Sequence, residues 1–104
     1  MKDTKEEKEW EKREDELWEL LKEQQGRVFW TAKNLEYTYE IKGNEMFVSR
    51  KDKSITRASV NLAYRKAEEL QQDGGTVAGP KKLGCFGASY LYPVFIEIGI
   101  IKGK

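Results

Sequence analysis

The chain has no histidine, one cysteine and two prolines among 104 residues. Without histidine there is no Ser-His-Asp or Cys-His nucleophile pair and no His-containing zinc site. Cys85 alone closes no intrachain disulfide and builds no structural zinc or iron–sulfur centre, and a reducing, cytoplasmic setting is the expectation that follows. There is no run of about 18 apolar residues, so no membrane span is expected. The opening "MKDTKEEKEWEKREDELW" also lacks the apolar core of a secretory signal.

What is present is charge and aromatic rings. Charged residues make up 36% of the chain and hydrophobic ones 38%, a polar balance that leaves part of the chain solvated. Three Trp, five Tyr and four Phe argue against disorder. The length supports one domain with one hydrophobic core. A net charge of +1 conceals a split: residues 1–26 hold six Lys/Arg against ten Asp/Glu, and residues 27–104 hold thirteen against eight. Such a division is a hint of an anionic partner. It also divides the chain into a charged N-terminal helix, 1–26 with 1–9 frayed, and a small α+β domain, 27–104.

From Glu6 to Gln25 the chain is rich in Glu, Lys, Leu and Trp, residues that lose little rotamer freedom in a helix. Trp10, Leu17 and Leu21, with Trp18 and Leu20 beside them, form its apolar stripe, and Gly26 suits a left-handed stop. "RVFWTAK" and "KGNEMFVSR" flank "LEYTYEIKG", in which Leu35, Tyr37, Tyr39 and Ile41 alternate with Glu36, Thr38, Glu40 and Lys42. Three antiparallel strands are expected near 28–33, 35–42 and 45–50, with a hairpin whose positive φ angles come from Gly43-Asn44. A second helix is expected over Arg57–Gln72, with Thr56 as cap, Ile55 and Val60 as a hydrophobic staple and Gly74-Gly75 as the end. Val60, Ala63, Tyr64, Ala67 and Leu70 would face the core. "DGGTVAGPKKLGCFGAS" reads as a long glycine-rich loop. A short helix over Tyr90–Ile98, capped by Ser89 and ended by Gly99, closes the chain; a strand over 94–101 is the alternative. The fold class is α+β: N-terminal helix, three-stranded antiparallel meander, central helix and short C-terminal helix, with the helices covering the Leu35/Tyr37/Tyr39/Ile41 face.

Several motifs invite chemistry and fall short of it. Gly79 and Gly84 have Walker-type spacing, but Cys85-Phe86 stand where Lys-Ser/Thr belong. Glu40-Ile41-Lys42 has the Glu-x-Lys form of a metal-dependent nuclease strand, without a partner acid upstream. Tyr37 and Tyr39 suit a base-stacking platform only if their face is open to water, and the helices need that face. Cys85 reads as a small half-buried filler. No cofactor, no metal and no catalysis are expected.

"FVSRKDKSITRAS" places Arg50, Lys51, Lys53 and Arg57 at a strand-to-helix junction, where free backbone N–H groups already favour anions. Arg57, Asn61 and Arg65 recur every four residues along the following helix, and Lys81 and Lys82 lie in the glycine-rich loop. These eight residues are side chains suited to phosphates and base edges. The expectation is a nucleic-acid-binding or nucleic-acid-associated regulatory protein. The alternative is a protein-interaction module or inhibitor that uses the acidic first helix, also a route to self-association, and the aromatics Phe86, Tyr90 and Tyr92.

Overall fold

The computed structural model of the chain describes residues 4–102, with side chains from residue 7 onward. The described residues contain three α-helices, two 3₁₀ turns and five short strands, the strands arranged as a two-stranded and a three-stranded antiparallel sheet. The α+β class and its element order stand, from N-terminal helix through meander to central and short C-terminal helices.

Helix α1 (Thr4–Gln24) begins inside the stretch expected to fray, residues 1–3 of which lie outside the described residues. It stops at Gly26, whose φ is 85°. Leu17, Trp18 and Leu21, spaced for one helical face, are each at most 1% exposed. The apolar stripe that self-association would use is therefore inside this core. Hydrogen bonds stitch the same end of α1 to the sheet. Tyr39 Oη–H donates to the Leu21 carbonyl at 2.5 Å, Trp18 Nε1 to the Gly43 carbonyl at 3.3 Å, and the Ile41 N–H to Gln25 Oε1 at 2.9 Å.

The long middle strand expected over 35–42 is two strands. Strand β1 (Phe29–Trp30) pairs with β2 (Glu36–Tyr37), Phe29 opposite Tyr37. Strand β3 (Tyr39–Lys42) pairs with β4 (Glu45–Val48), and β4 pairs with β5 (Ile55–Thr56), a strand the sequence pattern did not reveal. The break falls at Thr38. Its N–H bonds to the Ser49 hydroxyl at 3.0 Å, and its carbonyl accepts the Ser49 N–H at 2.9 Å. The Tyr39 carbonyl turns away to the Gly26 N–H at 3.0 Å. Leu35, expected on the core face, is 45% exposed because it belongs to the turn. There the Thr31 hydroxyl and carbonyl hold the N–H groups of Leu35 and Asn34, with Asn34 at φ 64°. Tyr37 and Tyr39 are buried as expected, and Ile41 is half-buried. At the β3–β4 turn Gly43 alone has a positive φ, 62°; Asn44 does not share it.

Helix α2 (Arg57–Leu70) starts where its cap predicts. Thr56 is extended, and its hydroxyl accepts the Ser59 N–H at 3.2 Å. Ile55 and Val60 are both fully buried. Val60, Ala63, Tyr64 and Ala67 line the core, and Leu70 is half-buried. The helix ends at Gln71, ahead of Gly74-Gly75. The Gln71 amide explains why: its Nε2 donates to the Ala67 and Ile100 carbonyls, and its Oε1 accepts the Lys102 N–H. One side chain thus closes the helix and ties down the C-terminal segment, whose Ile101 is buried.

The glycine-rich segment holds 3₁₀ turns at Gln72–Gly74 and Pro80–Leu83. Helix α3 (Ala88–Glu97) follows; residues 94–101 form no strand. Gly87, at φ 82°, takes the cap position expected of Ser89, which lies inside the helix. A Cβ at Gly87 would sit 2.4 Å from Ile55 Cδ1, so a side chain there would have to displace buried Ile55 as well as adopt a left-handed φ. Pro93 stands in the second turn of the helix. Gly99, at φ 86°, ends the helix, and the Ile100 N–H reaches back to the Phe95 carbonyl at 2.8 Å.

The core centres on aromatic packing. The Phe29 ring lies 5.9 Å from both Tyr37 and Tyr39, and Tyr37 meets Tyr90 edge-on at 5.0 Å. Tyr37 Oη–H donates to the Tyr90 carbonyl at 2.6 Å, fixing α3 to the sheets.

Leu21→Ala empties a fully buried site, at an expected cost of about 2–5 kcal/mol. Leu20→Ala, on the exposed side of the same turn, is expected to change stability by no more than about 0.5 kcal/mol. Urea melts of the two variants give the comparison, and equal losses would contradict the docking of α1. Burial raises the Tyr37 phenol far above its ordinary value, with smaller contributions from Tyr39 and Tyr90. Burial raises Tyr39 as well, against a lesser opposing pull from Arg27. Unfolded phenols lose protons near pH 10 while these two keep theirs, so stability is expected to be intact below about pH 10 and to fall above it. Replacing both by Phe is expected to flatten that alkaline slope in pH-dependent melts; an unchanged slope would assign it elsewhere.

Candidate nucleic-acid interface

The eight expected site residues separate into two groups. The first faces α1. Arg57 Nη2 meets Asp15 Oδ1 at 2.6 Å, and its Nη1 donates to Asn44 Oδ1 at 3.3 Å. Arg65 Nε meets Glu14 Oε2 at 2.7 Å, while its Nη2 reaches Glu7 at 3.2 Å. Arg65 also lies 5.0 Å from the centre of the Trp10 ring, which Arg13 covers at 4.4 Å while it also lies over the Tyr64 ring and pairs with Glu68. Hydrogen bonds donated to Glu14, and to a lesser extent to Glu7, hold the Arg65 guanidinium above its ordinary pKa against the lowering effect of burial. Asn61 lies between these arginines on the helix, and its Oδ1 is buried without a hydrogen-bond partner among the described residues. The stripe every four residues along α2 is thus the surface that receives an acidic helix.

The second group faces outward. Arg50, Lys51, Lys53, Lys81 and Lys82 are exposed, and none forms an ion pair among the described residues. Arg50 Nε donates to the Glu36 carbonyl at 2.6 Å, which pins the β4–β5 connection against β2. Lys51 and Lys53 lie 5.5 and 5.1 Å from the centre of the Phe86 ring, itself 40% exposed. Phe86 and Lys81 border one hollow, and Lys81 also borders a larger cleft with Lys82 and Lys33. Lys33, at the tip of the first hairpin, was not singled out by sequence reasoning. The available signal was a polar "TAKN" turn between two aromatic strands. Lys51 and Lys53 therefore meet at the exposed Phe86 ring, and Lys81 links that ring's hollow to the cleft bordered by Lys33 and Lys82.

The larger cleft has a volume of about 610 Å³. The Thr31–Leu35 turn forms one wall, Ala78–Lys82 the other, and Ser89 and Tyr90 the α3 end. No carboxylate among the described residues lines it. Helix α3 begins on Gly87 without a side-chain cap, so the positive end of its dipole opens beside the same walls.

The other features are structural. Tyr37 and Tyr39 are buried and offer no face to a base. Glu40 and Lys42 are exposed on β3, and Lys42 sits 5.9 Å from the Phe47 ring. No group of three or more Cys, Asp or Glu among the described residues is placed to hold a metal ion. Cys85 is half-buried, and burial raises its thiol pKa, which disfavours the reactive thiolate. Tyr92 Oη–H donates to the Val77 carbonyl at 3.4 Å, and Tyr90 is half-buried, leaving Phe86 as the exposed member of the three C-terminal aromatics. No described helix is long and apolar enough to cross a membrane.

Comparison with known protein families, with curated proteins and with solved structures returns no match.

Removing Arg65 alone leaves the Glu14 carboxylate, 8% exposed, without its partner. Arg65→Ala is expected to cost about 1–3 kcal/mol in urea denaturation. The double variant Glu14→Leu/Arg65→Met is expected to recover most of that loss, since no charge remains buried. A double variant as unstable as the single one would show that the pair is not coupled.

Proposed function

We propose that the chain is a small non-catalytic nucleic-acid-binding protein, which takes phosphates on the face formed by Lys33, Arg50, Lys51, Lys53, Lys81 and Lys82. The observation that supports it is that Lys51 and Lys53 meet at Phe86 while Lys33, Lys81 and Lys82, from two other segments, border a cleft lined by no carboxylate among the described residues, with Lys81 common to the cleft and the Phe86 hollow. Lysine ammonium groups left in water are suited to a mobile, solvated phosphate backbone. Arg57, Asn61 and Arg65 enter this reading as the seat of α1 rather than as phosphate ligands. The lone thiol supports a reducing, cytoplasmic setting.

A second reading, a protein-interaction module, is favoured by the outward face of α1. Glu9, Glu11, Glu16, Glu19 and Glu23 are all exposed there. Capture of a basic protein, undiminished by nuclease treatment, separates it from the first.

The test is a fluorescence titration with a labelled oligonucleotide over a range of salt concentrations. The logarithm of the affinity is expected to fall linearly with the logarithm of salt, and each lysine lost should reduce the slope by roughly 0.7–0.9. Lys51→Glu/Lys53→Glu/Lys82→Glu is expected to abolish binding, while Lys12→Glu on exposed α1 leaves it unchanged. A flat salt response, or binding that survives the triple variant, overturns the proposal.

A further inference from the structure

The cleft between the first hairpin and the Pro80–Leu83 turn differs in kind from the lysine face around it. A phosphate-binding surface needs no cavity, yet here about 610 Å³ of mostly apolar space opens between the lysines. That volume lies within the roughly 300–1,000 Å³ typical of sites for small organic groups. Leu35, Ala78 and Pro80 give it apolar walls, Lys33, Lys81 and Lys82 stand around it, and Tyr90 supplies an aromatic ring.

Tyr90 is held in place before any ligand arrives. Its ring is locked edge-on against Tyr37, with planes at 80°, and its carbonyl accepts the Tyr37 hydroxyl at 2.6 Å. A fixed ring costs little entropy to use as a stacking surface. A flat group with an anion attached on either side fits both halves of this arrangement: the ring system in the cleft, its charges on the lysines. Inside a duplex, base faces are covered by their neighbours and reach no such ring.

Resting on the nucleic-acid reading above, we infer that this cleft takes one unpaired nucleobase of a single strand, stacked against Tyr90, with the flanking phosphates on Lys33, Lys81 and Lys82. The chain is then a single-strand binder, and the cleft is what distinguishes it from a general polyanion binder. The lysine face supplies the salt-dependent attraction, and the cleft adds a contribution that a bare backbone cannot make.

Three labelled probes test this: oligothymidylate of about 12 nucleotides, within the span of about 4–16 that compact single-strand domains cover, the same backbone with abasic sites throughout, and a duplex of equal length. At one ionic strength the single strand is expected to bind about ten-fold tighter than either of the others. Tyr90→Leu keeps the backbone carbonyl that Tyr37 uses, and Ala78→Leu adds bulk at an exposed wall. Either is expected to remove the preference for bases while leaving affinity for the abasic backbone and its salt slope unchanged. Thermal melts check that both variants fold, and Ala78→Leu decides the matter if Tyr90→Leu does not. Equal binding of all three probes by the unaltered chain overturns the base pocket and leaves the phosphate face standing. Absence of binding to any probe at low salt overturns both.

Discussion

Glu14 sets the constraint from which the rest of the architecture follows. It is the one charged side chain buried among the described residues, and it lies on the face of α1 that also carries Trp10, Leu17, Trp18 and Leu21. Burying those apolar side chains drags the carboxylate out of water, a cost of several kcal/mol unless a partner meets it. Arg65 meets it with two nitrogens, and the same guanidinium reaches Glu7 one heptad earlier. A second tie, Arg57 to Asp15, fixes the other end of α2 against α1. With α1 seated, Tyr39 and Trp18 find their backbone acceptors and the aromatic centre of the domain closes.

Arginine and lysine divide the work accordingly. Arg13, Arg27, Arg57 and Arg65 all pair with carboxylates, and Arg50 holds a backbone carbonyl. Lys33, Lys51, Lys53, Lys81 and Lys82 pair with none among the described residues. The chemistry of the two groups accounts for this. A planar guanidinium fork tolerates partial burial and satisfies a carboxylate with several donors, whereas an ammonium keeps its water. The arginines hold the fold together, and the lysines are left on the surface.

What the sequence made legible was local. The Thr56 cap, the Gly43 turn, the Gly26 and Gly99 stops and the buried tyrosine pair all announce themselves within a few residues. What stayed hidden depends on partners far away. The strand break at Thr38 comes from Ser49, and two-residue β5 exists only because β4 is beside it. Arg57 and Arg65 looked like phosphate ligands because their partners lie 42 to 58 residues earlier. One clue was present. Glu7 and Glu14 occupy the same heptad seam as Trp10, Leu17 and Leu21, and an acid in an apolar seam requires a cation opposite. Of the basic junction, Lys51 and Lys53 point the way to the candidate face, but the Phe86 ring that joins them to Lys81 comes from another loop.

The separation of acidic helix from lysine face also governs how the molecule behaves among its own copies. Its isoelectric point is near 7.7, so around neutral pH there is little net repulsion to keep molecules apart. A near-zero total made of an acidic patch and a basic one still lets unlike patches of neighbouring molecules attract each other in dilute salt. Added electrolyte screens that attraction over about 10 Å at 0.1 M. The protein should therefore salt in: turbid when desalted, clear when ionic strength is restored, with its solubility minimum lying close to neutral pH.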